Sequence, residues 1–219
     1  MTVAALPRRD EPARTHLEAV ARQASPVVLA GDQVLPVRGE LGELIPALRR
    51  GSVVAVGGES GSGATTVALA LAAAATTAGE WAAAVEVESA RLGLLGGLAA
   101  AEAGVALDRF AVARRVPPTR WATVVAALLD GIGLVLAEVP LHARAVDARR
   151  LAARARERGA VLVGVGAWPA EAALRLWADG TAWPGLGAGT GLLSARELQV
   201  RVEGHGAPVH GVVPLARAG

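Results

Sequence analysis

The stretch "VVAVGGESGSGATTVALAL", residues 53–71, constrains this chain more than any other. A short β-branched run ends in glycines, a Gly/Ser-rich turn follows, and two threonines open an Ala/Leu segment. The order is strand, glycine loop, helix. A turn of this kind gathers backbone N–H groups at a helix N-terminus, where the helix dipole adds positive potential. It belongs at the end of a buried strand, which commits the chain to an α/β architecture.

Set against the phosphate-cradling pattern G-x-x-x-x-G-K-[ST], the loop reads Gly58 and Gly63, then Ala64 where lysine belongs, then Thr65 and Thr66. The missing ammonium would contact the β- and γ-phosphates. One charged hydrogen bond is worth about 1.5–3 kcal/mol, so nucleotide affinity should fall roughly tenfold to a hundredfold. Transition-state stabilisation should suffer more, because phosphoryl transfer is catalysed mainly by electrostatics. No other lysine can substitute, since the chain contains none. The expectation is a degenerate nucleotide-binding loop with no catalytic residue and no cofactor beyond weak Mg-ATP binding.

Apolar periodicity extends the reading along the chain. Leu41, Leu44, Ile45 and Leu48 predict an amphipathic helix over 39–50, with Gly51 past its end. A strand over 52–56 leads into the loop, and the helix 65–78 stops at Gly79. Strands follow at 82–88 and 110–113, separated by a Gly/Leu-rich helical stretch at 91–103. Pro117, Pro118 and Thr119 open a helix with Trp121, Val124, Val125, Leu128 and Leu129 in one stripe. "GLVLAEVP" at 133–140 is a buried strand, an Arg-rich helix runs over 143–158, and 160–166 is a further strand. "AWPAEAALRLWADG", 167–180, reads as helical. The C-terminus, "RELQVRVEGHGAPVHGVVPLA", reads as two strands around a Gly-His-Gly turn, an antiparallel hairpin at the sheet edge. Apolar strands alternating with helices mean a mostly parallel sheet flanked by helices.

At 219 residues the chain has room for one substantial domain, read as 29–219, and a short N-terminal arm, 1–28. Within the arm, residues 14–23 are expected to form a short helix with Leu17, Val20 and Ala21 on one face, ended by Pro26, a frayed terminus being the other reading. Apolar residues make up 53% and charged residues 19%, which excludes a disordered chain. The absence of cysteine excludes disulfides, thiolate metal sites and cysteine nucleophiles. Net charge is only +2, so the pI near 10.7 reflects arginine's titration and not a strongly basic surface. The most apolar stretch, 67–78, is too short to span a bilayer, and the N-terminus is charged within its first ten residues. A cytoplasmic location and no membrane partner are expected.

Beyond the loop, the densest basic feature is the helix carrying Arg144, Arg149, Arg150, Arg154, Arg156 and Arg158, with Asp147 and Glu157 as partial counter-charges. Arg149, Arg150, Arg154 and Arg158 are candidate contacts to a partner or to DNA backbone. A solvated helix face is the other reading. "WPGLGAGTG", 183–191, offers Trp183 and Leu186 as surface contacts. His205 and His210 straddle the hairpin turn without a third ligand, so no metal site is expected.

"LPVRGELGELIPALRRGSVVAVGGESGSGATT", 35–66, resembles the opening of RecA. With "WATVVAALLDG", "DARRLAARARERGAVLV" and "WPGLGAGTGLLSARELQVRVEGHG", the chain looks like the actinobacterial ImuA-like proteins over about residues 35–206. These are RecA-related accessory factors of a damage-tolerance mutasome. The resemblance implies a RecA-like P-loop NTPase core with Glu138 where the acid of the Mg²⁺ shell stands and Glu88 where the water-activating glutamate stands. It also implies an ImuB-like Y-family protein and an error-prone DNA polymerase as partners, and a non-catalytic adaptor role in translesion synthesis after DNA damage. Both connections that grip DNA in RecA are reduced here, so strand exchange is not expected, and direct DNA contact stays open. A cell-division inhibitor similar to SulA and a slow RecA-family ATPase using Thr65, Glu88 and Glu138 are the alternative readings.

Overall fold

The structure, a computed structural model, describes residues 34–37, 39–88, 97–182, 196–204 and 209–215. The expected arm at 1–28, the loop 183–191 and the turn at His205 lie outside the described residues. All described residues belong to one compact unit, Val34–Gly219.

The chain enters through a two-stranded antiparallel sheet, β1 (Val34–Pro36) and β2 (Ala47–Arg49), with α1 (Glu40–Leu44) between them. The helix expected over 39–50 is therefore cut to its first half. Pro46 explains the cut. The residue before a proline is pushed out of the α region, and Ile45 sits at φ −137°, ψ 87°. The apolar spacing still serves the core: Leu41, Ile45 and Leu48 are all buried, the last of them from a strand.

The main sheet comprises β3 (Val53–Gly58), β4 (Ala82–Val87), β5 (Phe110–Val116), β6 (Leu134–Glu138), β7 (Val161–Val165), β8 (Leu174–Ala182), β9 (Arg196–Glu203) and β10 (Val209–Leu215). Its order is β10-β9-β8-β3-β7-β6-β4-β5. Pairing is parallel from β8 to β5 and antiparallel across β8, β9 and β10. The architecture is thus the expected mostly parallel α/β sheet flanked by helices, with a C-terminal antiparallel hairpin at one edge.

Alternation across the pleat builds two cores. From β3, Val54 and Val56 face one core while Val53 and Ala55 face the other. The first core is covered by α1 and α2 (Ala64–Thr77), whose run of alanines lets the helix lie close on the strands. The second lies under α4 (Trp121–Leu129) and α5 (Ala145–Arg158), reached after α3 (Gly97–Glu102) and a short 3-10 turn at Leu107–Arg109. From α4 it takes Trp121, Val125 and Leu129, and from α5 Ala148, Leu151 and Ala155.

The segment expected to be helical at 167–180 is instead a loop followed by β8. Leu174, Leu176 and Ala178 alternate with Arg175, Trp177 and Asp179, a period of two that fits a strand paired to β3. Its Ala/Leu content favours helix locally, but the hydrogen-bonding edge of β3 overrides that weak preference. Ahead of it, Trp168 turns inward, its indole N–H donating to the Glu171 carbonyl at 3.3 Å.

Candidate functional site

Residues 59–63 leave the end of β3 and return the chain into α2. Gly63 caps the helix at φ 105°, in the left-handed region, and no side chain caps the helix N-terminus. Gly63 therefore offers the first-turn N–H groups no capping side chain of its own. Two glycines here are sterically required. A Cβ on Gly63 would run into Leu198 Cδ1, and one on Gly58 would collide with Ser62 Oγ and come 2.9 Å from the Ala178 carbonyl.

The loop forms one wall of a cleft of about 620 Å³ at the C-terminal ends of β3, β6 and β7, the size of a small-molecule site and the place where open α/β sheets bind ligands. Gly58, Gly63, Ala64, Thr65, Thr66 and Glu138 all line it, so six of the seven expected residues come together. Glu88 does not line it; it is exposed beyond β4, its backbone N–H donating to Val116 O at 3.0 Å. The opposite wall is apolar: Val139, Pro140, Leu141, Ala167 and Trp177.

Among the described residues, the charged side chains lining the cleft are Glu59 and Glu138, with no arginine. Glu138 is buried, and its Oε2 accepts from the Val87 N–H at 3.0 Å. Thr65 and Glu138 also share a void of about 10 Å³ beneath the helix, space for about one water.

A second acid was missed by sequence reasoning. Glu86 is 2% exposed, on the same parity of β4 as Ala82 and Ala84, and pairs with Arg114 across 3.7 Å. The β4–β6 register ends at Val85↔Ala137, so Glu86 comes level with Glu138 on the neighbouring strand. "AVEVE" placed two glutamates on one strand parity; the inner one is the buried one. A shift of register opposite, between Val85 and Val87, accompanies Arg115 at φ 52° and brings Arg114 to it.

The arginines of α5 divide into two sets. Arg154 forks onto Asp130 at 2.7 and 2.6 Å, and Arg158 adds a contact at 3.1 Å. Arg144 forks onto Asp147 at 2.9 and 3.2 Å. Arg149, Arg150 and Arg156 are exposed and make no ion pair among the described residues. Of the four arginines expected at a contact surface, Arg154 and Arg158 thus tie α5 to the end of α4, while Arg149 and Arg150 face solvent. Trp183 and Leu186 lie outside the described residues.

Hydrogen bonds from Arg154 hold the Asp130 carboxyl below its ordinary range, against a smaller opposing effect of desolvation, with Arg158 adding to the lowering. Because the folded value lies below the unfolded one, the contribution to stability is present above the ordinary carboxylate pKa, about 4. It is lost as pH falls through the lower folded value. Urea midpoints of the wild type and Asp130→Asn should therefore differ at neutral pH and converge in acid. A pH-independent difference would remove the ion pairs as its cause.

The fold and the cleft define the class: a mostly parallel α/β protein with a glycine-loop cleft at its strand ends. Residues 43–170 match the MT3502 N-terminal domain, and the chain belongs to that family. The match runs from α1 to the loop after β7, so it includes every cleft wall except Trp177. No curated protein matches the chain. Among the described residues no helix is long and apolar enough to cross a membrane.

Proposed function

We propose that this protein is a RecA-like pseudo-ATPase that acts as a non-catalytic adaptor in DNA-damage-induced translesion synthesis, in the cytoplasm. Its contacts are with an ImuB-like Y-family protein, and through it with an error-prone polymerase. One observation supports the pseudo-ATPase part: a cleft with a glycine cradle, a threonine and a carboxylate has Ala64 at the lysine position and, among the described residues, no cation in its lining. A triphosphate brings several negative charges, and in this cleft it meets backbone N–H groups beside two glutamates. Backbone dipoles alone leave most of that charge uncompensated.

The adaptor part rests on the ImuA-like motifs, and the short connections at the cleft are consistent with it. Residues 139–144, after β6, form a turn closed by Ala143 N–H to Pro140 O at 2.9 Å. Residues 166–173, after β7, pack Trp168 into the core. By the RecA resemblance, these connections correspond to the ones that carry mobile DNA-gripping loops in RecA. Neither has the length to wrap a strand.

The test uses purified partners. The immobilised chain should retain the Y-family-like protein of its source organism equally with and without Mg-ATP, while releasing no phosphate. Retention that requires ATP would mean the cleft still works as a nucleotide switch. Failure to retain it, with retention of the division tubulin, would overturn the adaptor reading in favour of a SulA-like inhibitor.

A further inference from the structure

Helix α5 presents a mixed surface. At 100° per residue, Val146, Arg149, Arg150, Ala153 and Arg156 share the stripe opposite the buried Ala148, Leu151 and Ala155. Val146 is 45% exposed, and Leu141, at the tip of the turn leading into the helix, is 81% exposed. Glu157 also falls on this stripe, toward its C-terminal end, and Arg150 acts on Asp147 beside it, so the stripe carries three arginines against one glutamate and keeps a net positive charge. Three guanidinium groups with no ion pair among the described residues thus share a stripe with exposed Val146, and exposed Leu141 precedes the helix in the turn.

We propose that this face of α5, with the Leu141 turn, is a docking surface for an acidic, leucine-bearing helical segment of a partner protein. The inference rests on the adaptor reading and specifies its contact chemistry. Carboxylates of such a segment would accept paired hydrogen bonds from Arg149 and Arg150, while its leucines would cover Val146 and Leu141. Charge complementarity selects an acidic occupant. The aliphatic pair selects protein over nucleic acid, because a phosphate backbone gains nothing from Leu141 or Val146. Arg154 and Arg158, to one side of the stripe, are engaged by Asp130, and no aromatic residue lies on α5 to stack a base.

The experiment measures fluorescence anisotropy of labelled synthetic peptides with the full-length chain. One peptide carries leucines at i, i+3, i+4 and i+7 with glutamates between them; one replaces the glutamates by glutamine; one replaces the leucines by alanine. Mixed-sequence single- and double-stranded DNA form the other arms. The acidic leucine peptide should bind, with affinity falling at least about tenfold in Arg149→Glu/Arg150→Glu. It should fall roughly threefold to tenfold in Leu141→Ala/Val146→Ala. Circular dichroism melts matching the wild type show that these exposed substitutions leave the fold intact.

Peptide binding that ignores the charge reversal, or no peptide binding, overturns the proposal. So does DNA binding that is tighter than the peptide's and sensitive to the arginines alone. Capture of the Y-family-like protein separates the two levels. Retention by the wild type and the Arg149→Glu/Arg150→Glu variant alike keeps the adaptor and overturns this surface. Retention by neither overturns the adaptor, and peptide binding then decides the surface alone.

Discussion

Trp168→Ala should cost about 3–5 kcal/mol of stability, the range for deleting a large aromatic from a packed core. Trp168 is 6% exposed and meets Trp121 edge-on, with ring centroids 6.4 Å apart and planes at 62°. Such pairs contribute about 0.5–1.5 kcal/mol beyond their buried area. Trp121 itself is 2% exposed on α4, so the truncation also opens the helix–sheet joint. Urea unfolding would read the loss directly, and the melting temperature should fall by roughly 6–20 °C for a chain of this size. A loss below about 1 kcal/mol would mean that neighbouring side chains collapse into the space.

The same contact offers a compensation test. A Cβ on Gly164 would lie 2.5 Å from Cε3 of the Trp168 ring, so Gly164→Ala should overpack the wild-type core. With the indole gone that conflict disappears, and the alanine fills part of the void. The double variant should be more stable than the sum of the two single losses predicts. Additivity within about 0.5 kcal/mol would remove the ring contact as the reason for glycine at this position.

The second large effect concerns the cleft. Ala64→Lys should raise Mg-ATP affinity roughly tenfold to a hundredfold, the return of one charged hydrogen bond of about 1.5–3 kcal/mol. Ala64 is the first residue of α2 and already lines the cleft, so a lysine there starts from the wall on which it would act. Calorimetric titration of both proteins would measure the gain. No gain would mean that Glu59 and Glu138 outweigh the added ammonium, or that the cradle closes around Ser62. Unchanged phosphate release is expected in either case, since Glu88 stands outside the cleft.

Much of the fold was legible because parallel strands buried on both faces announce themselves as unbroken apolar runs. The strand "LVLAE" and the helix stripe of Trp121, Val125 and Leu129 needed no tertiary information. The errors occurred where local and global preferences disagree. At Pro46 a single imide ended a helix whose apolar spacing continued. At Leu174–Ala182 an Ala/Leu-rich segment became a strand because β3 offered it a hydrogen-bonding edge. The cleft itself was readable from its glycines and Thr65, and Glu138 from its place at a strand end. Glu86 was not, since burial of one glutamate of "AVEVE" depends on how β4 meets β6. Nor could sequence separate Arg154 and Arg158 from Arg149 and Arg150, because Asp130 lies on another helix.

The sheet order also sets a timetable for synthesis. Val54 pairs with Val163 on one side and Leu174 on the other, so β3 is made long before either neighbour exists. Until both emerge from the ribosome, its two hydrogen-bonding edges stay open, and pairings this distant in sequence form slowly. The glycine loop is translated early, but its far wall arrives with Val139, Pro140 and Leu141, then Ala167 and finally Trp177. Truncated nascent chains should therefore expose β3 as a sticky, unpaired edge, the segment where a chaperone or an aggregate would take hold.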